Sequence, residues 1–170
     1  ALFHKEKTGE AMRIDLSLWD SAIAALVNQA HNAMASGVNP TPMGSAHPNL
    51  VPYRAFEAKD GWFVIGVGSD NQWLTLVEAL ALENREEWAT NEGRIHDREA
   101  VESRVSNAVS NFNRSVLEEK LTGVPCAPVN TVLEALNDPQ SVARQAVTQY
   151  QGVDVLASPL RFMQPSKREQ

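Results

Sequence analysis

The sequence predicts an α+β fold, and three observations carry that reading. Lys59-Asp60-Gly61 lies between two short segments that read as strands, Arg54 to Glu57 and Trp62 to Val67. Asp-Gly accepts the positive φ angles of a tight hairpin turn, so a small antiparallel sheet is predicted there. Apolar residues recur at helical spacing on both sides, at Leu18, Ala22, Ala25, Leu26 and Ala30 and again at Trp73, Leu74, Leu76, Val77 and Leu80. Between them, Val38 to Pro52 holds Pro40, Pro42, Pro48 and Pro52 with Gly44, a composition that admits no helix.

Leu2 to Lys7 reads as the last turns of a helix that Thr8-Gly9 ends, because glycine tolerates the left-handed conformation of helix exits. Residue 1 is Ala rather than Met, and the helix is already under way there, so the chain is expected to begin inside a larger fold. Met12 to Leu16 alternates apolar and polar residues and predicts a short strand. One helix is predicted from Leu18 to Ala35, with Ser17 or Asp20 as its N-cap and Gly37 as its exit. The helix after Gly66-Val67-Gly68 has Ser69 or Asp70 as its cap.

Beyond Asn84 the pattern is helical, with Ile95, Val101, Val105, Ala108, Val109 and Phe112 on one face and Leu117 and Leu121 on another. Val124 to Val129 is extended, bracketed by Pro125 and Pro128. Thr131 caps a short helix that stops at Asp138-Pro139, and Asp138 caps the next. Val147 to Tyr150 and Val153 to Leu156 form a closing hairpin around Gln151-Gly152. The expected architecture is a helix-strand-helix arm (1–37), a proline-rich crossing loop (38–53), a small α+β domain with surrounding helices (54–163) and a frayed tail (164–170).

Fifteen Lys and Arg stand against 21 Asp and Glu, a formal charge of -6, and the basic residues are scattered beside acids as in Arg85-Glu86-Glu87. No stripe of positive charge suits nucleic acid. The apolar run Ala22 to Val27 is far too short to span a bilayer, and no leader pattern precedes it. A single cysteine, Cys126, forms no internal disulfide, which fits the cytoplasm. His4, His31, His47 and His96 show no metal-ligand spacing, so no metal is expected.

Gly44-Ser45-Ala46-His47-Pro48-Asn49 is the best candidate site. A glycine loop exposes backbone N–H groups, His47 exchanges protons near neutral pH, and Ser45 or Asn49 can donate to an oxyanion. The competing reading of the same residues is a turn hydrogen-bonded to its own backbone. Gly66-x-Gly68 lacks the third glycine of a dinucleotide fingerprint, since Asn71 stands there, and the glycines are expected to let two backbones approach. No serine lies in a G-x-S-x-G elbow. Cys126 has no cationic partner in sequence and fits a small buried packing residue. Trp19 and Trp73 are expected in amphipathic helix cores, and Trp62 and Trp88 near turns where the indole N–H meets water.

In order along the chain, Leu2 to Glu10 with Ile14 to Leu18, Met43 to Tyr53, Asp60-Gly61-Trp62 with Gly68 to Trp73, then Asn91, Arg94 and Arg98, Gly123 to Asn130, and Asp138-Pro139-Gln140 with Ala143-Arg144 resemble one family. It is the class III CoA-transferases of the formyl-CoA and carnitine-CoA type, which include alpha-methylacyl-CoA racemase. The resemblance covers the middle and C-terminal small-domain portion of that family only. It implies a full-length protein with a large doubly wound domain, which this chain lacks, and two chains interlocked like links. It also implies an aspartate nucleophile that takes the acyl group from a CoA thioester as a mixed anhydride. By position that aspartate precedes Ala1, so no catalytic residue is expected here, and Asp15 and Asp20 do not inherit the role. Gly44 to Asn49 matches the loop that closes over the acyl-aspartyl intermediate, which makes Gly44, Ser45, His47, Pro48 and Asn49 the substrate-loop candidates. Leu121-Thr122-Gly123 is shorter than the family's usual helix end.

The first functional reading is therefore part of a class III CoA-transferase, inactive alone, with acyl-CoA as substrate and no tightly bound cofactor. A second is a self-associating assembly module, a homo-oligomer that hides the apolar face of Leu18 to Ala35. A third is one half of a split enzyme whose partner carries the large domain.

Overall fold

The computed structural model describes residues 1–161; the expected tail 164–170 and the end of the 54–163 span lie outside the described residues. The described chain is α+β, with helices and two small antiparallel sheets, and it divides into two compact units between Asn49 and Leu50.

The first unit holds α1 (Leu2–Thr8), α2 (Leu18–Ala24) and α3 (Val27–Ser36), and none of their residues is buried. Gly9 and Gly37 end α1 and α3 in the left-handed region at φ 76° and 71°, where glycine avoids the Cβ penalty. Ser17 is the N-cap of α2, its hydroxyl accepting the N–H groups of Trp19 and Asp20.

Two expectations fail in this unit. Met12 to Leu16 is coil with no strand partner among the described residues; alternation alone does not make a strand when no neighbouring ladder takes its backbone groups. The single helix Leu18 to Ala35 is broken after Ala24. Leu26 N–H turns to the Ile23 carbonyl three residues back, and Val27 enters α3 at φ 43°. Trp19 is 73% exposed rather than in a core.

The second unit contains the core. β1 (Tyr53–Ala58), β2 (Gly61–Gly66) and β3 (Cys126–Pro128) form an antiparallel sheet in that order, with Phe56 opposite Phe63 and Val64 opposite Ala127. Phe56, Ala58, Phe63 and Ile65 turn one face inward. The hairpin falls where predicted, but it turns through Lys59-Asp60 and only Gly61, already in β2, takes a positive φ, 141°; Asp60 accepts the Arg114 N–H at 2.8 Å, and Gly61 leaves room for the Arg114 side chain beside it. At the short helix end Gly123 turns at φ 94°, and Pro125 accepts the Gly66 N–H at 2.8 Å on the way into β3.

Against the buried face lie α4 (Asp70–Ala79), capped by Ser69, and α6 (Arg98–Val109), with α5 (Asn91–His96) between them in sequence. They supply Trp73, Leu76, Val101, Val105 and Val109, and α7 (Arg114–Lys120) adds Leu117. Leu74 and Ile95, predicted on the apolar faces, are 50% and 38% exposed, because each sits at the edge of its stripe. Trp88 is also a correction. It is buried, stacks edge-on against Trp73 at 6.2 Å, and donates its indole N–H to Asp97 rather than to water.

Thr131 opens α8 (Val132–Asn137) through a complete capping box with Glu134, and Asp138 caps α9 (Pro139–Ala143) with proline in its first turn. β4 (Val147–Tyr150) and β5 (Val153–Leu156) pair as an exposed hairpin with the predicted limits.

Candidate functional site

The candidate loop belongs to the first unit, and its shape follows from Gly44. Residues 43–46 make a tight turn closed by the Ala46 N–H on the Met43 carbonyl at 3.1 Å. Gly44 sits in it at φ 59°, and a Cβ there would meet nothing within 4 Å. The glycine is needed for its backbone angle, not for space.

His47 is half-buried and engaged on both ring nitrogens. Its Nδ1 accepts the Asn49 N–H at 3.0 Å, and its Nε2 lies 3.2 Å from the Asn28 side-chain amide. The atom placed there is Asn28 Nδ2; with Nδ1 an acceptor, the proton of the neutral ring sits on Nε2, and the pair forms a hydrogen bond when the Asn28 amide is turned so that its oxygen accepts. Asn49 and Asn32 exchange two side-chain amide hydrogen bonds, at 3.2 and 3.1 Å. Asn28 and Asn32 are one turn apart on α3, so one face of that helix holds the loop at two points.

The structure thus brings His47 and Asn49 together, with Gly44 and Ser45 in the turn before them and Pro48 between. Asn28 and Asn32 are the residues that sequence reasoning missed. Their signal was an i, i+4 pair of asparagines in a helix that otherwise favours alanine. The expected turn bonding is present in His47: its Nδ1 is committed to the Asn49 backbone N–H, which makes it an organiser of the loop.

Other candidates are occupied by structural work. Gly66 faces the Tyr53 ring, which a Cβ would meet at 2.8 Å, so a side chain rather than a second backbone fills the space. Gly68 gives its N–H to Gln72 at 2.7 Å, which withdraws it from phosphate binding. Cys126 is half-buried, and burial first, then Glu118, pushes its thiol up from the ordinary range, the opposite of activation. Among the described residues no three His, Cys, Asp or Glu side chains cluster to hold a metal, and no helix is long and apolar enough to cross a membrane.

The seven aspartates are also accounted for. Asp70 and Asp15 face Arg94 and Arg13, Asp97 receives the Trp88 indole, and Asp60 and Asp138 accept backbone N–H groups. Asp154 accepts the Gln149 amide, and Asp20 lies exposed in the first turn of α2.

Residues 1–169 match the model of CoA-transferase family III. The chain is 31% identical to a succinate–glutarate CoA-transferase of Agrobacterium fabrum over 99% of its own length and 46% of that protein. It is 31% identical to a succinyl-CoA:mesaconate CoA-transferase of Haloarcula hispanica, covering 87% of this chain and 38% of the relative. A crystal structure of a CAIB/BAIF family protein from Brucella suis superposes with a TM-score of 0.74 at 37% identity, over 95% of this chain and 44% of that one. The chain spans less than half the length of these relatives.

Proposed function

The chain belongs to CoA-transferase family III, and from that premise we propose that it is part of an enzyme moving CoA from an acyl-CoA thioester to a carboxylate acceptor. The match across residues 1–169 carries this reading, because it includes the loop as well as the core. Gly44, Ser45, His47, Pro48 and Asn49 serve as the lid over the reacting acyl group. Such a lid works by excluding water from an anhydride that water would destroy, and a loop anchored on α3 through Asn28 and Asn32 suits that task. The acyl-accepting carboxylate is supplied from outside these 170 residues. The structural employment of five of the seven aspartates supports this, and the exposed Asp15 and Asp20 lack the surroundings of a nucleophile.

The acceptor is a short dicarboxylate. The relatives' names carry succinate, glutarate, mesaconate and oxalate, all diacids. The protein works in the cytoplasm without a tightly bound cofactor, and the chain alone does not turn over.

One observation favours a second reading, self-association or assembly with a large-domain partner. Leu2, Leu16, Leu18 and Trp19 are 73% to 91% exposed in a unit whose helices bury no residue.

The test is a chimera in which these residues replace the matching 46% of the Agrobacterium fabrum relative, assayed for glutaryl-CoA formed from succinyl-CoA and glutarate. Transfer by the chimera and none by the 170-residue chain is the expected result. A folded but inactive chimera would refute the acceptor class, and turnover by the chain alone would refute the external carboxylate.

A further inference from the structure

The base of the β4/β5 hairpin brings two arginines to one cleft. The Ala157 N–H donates to the Ala146 carbonyl at 2.9 Å, which extends the hairpin ladder one pair beyond Leu156. Arg144 leaves the end of α9 two residues before Ala146, and Gln145, at φ 50°, turns the chain into β4. On the other side Ser158 accepts the Leu160 N–H at 3.2 Å, a turn that folds the strand exit back and returns Arg161 to the same opening. The cleft measures about 330 Å³. Its lining combines Arg144 and Arg161 with Ser141 and Ser158 and the apolar Leu156 and Pro159.

No carboxylate lines it, and neither guanidinium meets an acid among the described residues. The acids nearest in sequence are engaged elsewhere: Asp138 accepts the Gln140 N–H at 2.8 Å and Asp154 accepts the Gln149 amide at 2.8 Å. Among the described residues, every other arginine of the second unit has a partner in an acid. Two arginines with no acid partner among the described residues, lining one small, partly apolar space, match a ligand with two negative charges and a short carbon body.

We propose that this cleft binds a small organic dianion between Arg144 and Arg161. Two sources share that chemistry, a short dicarboxylate and a phosphate ester such as the nucleotide end of CoA. The proposal does not depend on the reading of the Gly44 to Asn49 loop.

Isothermal titration of the whole chain with glutarate, with adenosine 3′,5′-bisphosphate and with the monoanion butyrate tests it, alongside amide NMR. One dianion or both should bind saturably and shift the Ala146 and Ala157 amides, and butyrate should bind far more weakly. Glutarate alone would assign the cleft to a diacid, and the bisphosphate alone to a phosphate ester. R144Q and R161Q, checked for folding by circular dichroism, should each weaken binding about tenfold, the loss of one charge-assisted contact. No saturable binding of either dianion, or affinity unchanged in the folded double variant, would overturn the proposal.

Discussion

Arg94 donates from Nε to the Val51 carbonyl at 2.8 Å, while Asn91 on the same helix accepts the Val51 N–H at 3.2 Å. Both backbone groups of Val51 are therefore fixed by α5 where the chain enters the second unit. The Arg94 side chain is buried and also donates to the Trp88 carbonyl and to Asp70, with its guanidinium 5.3 Å from the centre of the Trp73 ring. Arg94→Met should cost about 3–5 kcal/mol in urea denaturation, because it strands buried acceptors and an acid at once. Arg94→Lys should rescue little, since an ammonium cannot reproduce the planar fork that meets these acceptors. A loss below about 1 kcal/mol for the Met variant would show that the hub is dispensable.

Two glycines should rank in a definite order. A Cβ on Gly93 would overlap the Glu87 backbone carbonyl oxygen, which cannot swing aside, whereas on Gly66 it would meet the ring of Tyr53, a side chain 37% exposed. Gly93→Ala should therefore destabilise by more than about 2 kcal/mol and Gly66→Ala by about 1 kcal/mol. Thermal melts of the two variants give the comparison, and the reverse order would contradict the packing described.

The contrast between these hubs and the sequence explains what was legible. Ser69, Thr131 and Asp138-Pro139 are local signals, since each satisfies backbone groups within a few residues, and the hairpin at Asp60-Gly61 joins two strands adjacent in sequence; each was readable. Val147 to Tyr150 and Val153 to Leu156 were readable for the same reason. Met12 to Leu16 misled because a strand is defined by a partner that alternation does not specify. Trp88 and Arg94 were unreadable because their partners lie 9 and 43 positions away in sequence. The loop was visible through its glycine and prolines, but its anchors Asn28 and Asn32 lie 19 and 17 residues upstream of His47 and Asn49.

Acid should loosen α8 before the core. The Thr131 N–H first, then the Thr131 hydroxyl interaction and Arg114, hold the Glu134 carboxyl below the ordinary carboxylate range. A group depressed on folding contributes stability that is complete above its unfolded pKa and is lost as pH falls through the folded value. Amide exchange across Val132–Asn137 should therefore rise in acid relative to the core strands, and Glu134→Gln should blunt that dependence while keeping the N-terminal cap. An acid dependence unchanged by Glu134→Gln would assign it to another carboxylate.

Cys126 should be a slow thiol. Burial holds it in the protonated form to higher pH than an ordinary cysteine, so iodoacetamide should react more slowly with the folded chain than with the chain in urea at the same pH. Its pH–rate profile should inflect above that of a free cysteine. Equal rates in the two states would mean that the β2/β3 pairing of Ile65 with Cys126 opens readily in solution.

The loop supplies the prediction closest to function. If His47 organises Gly44 to Asn49 by accepting the Asn49 N–H, removing the ring should release that amide first. His47→Ala should speed Asn49 amide exchange about five- to tenfold, the effect of one hydrogen bond of ~1 kcal/mol. Asn28→Ala should act in the same direction but more weakly, because it frees the ring without removing the acceptor. Asn32→Ala should leave the His47 to Asn49 bond in place and expose the loop to protease through loss of the amide pair. Unequal effects in that order identify His47 as the pivot of the loop; equal effects of all three would make the loop a uniformly docked segment, with no special part for the imidazole.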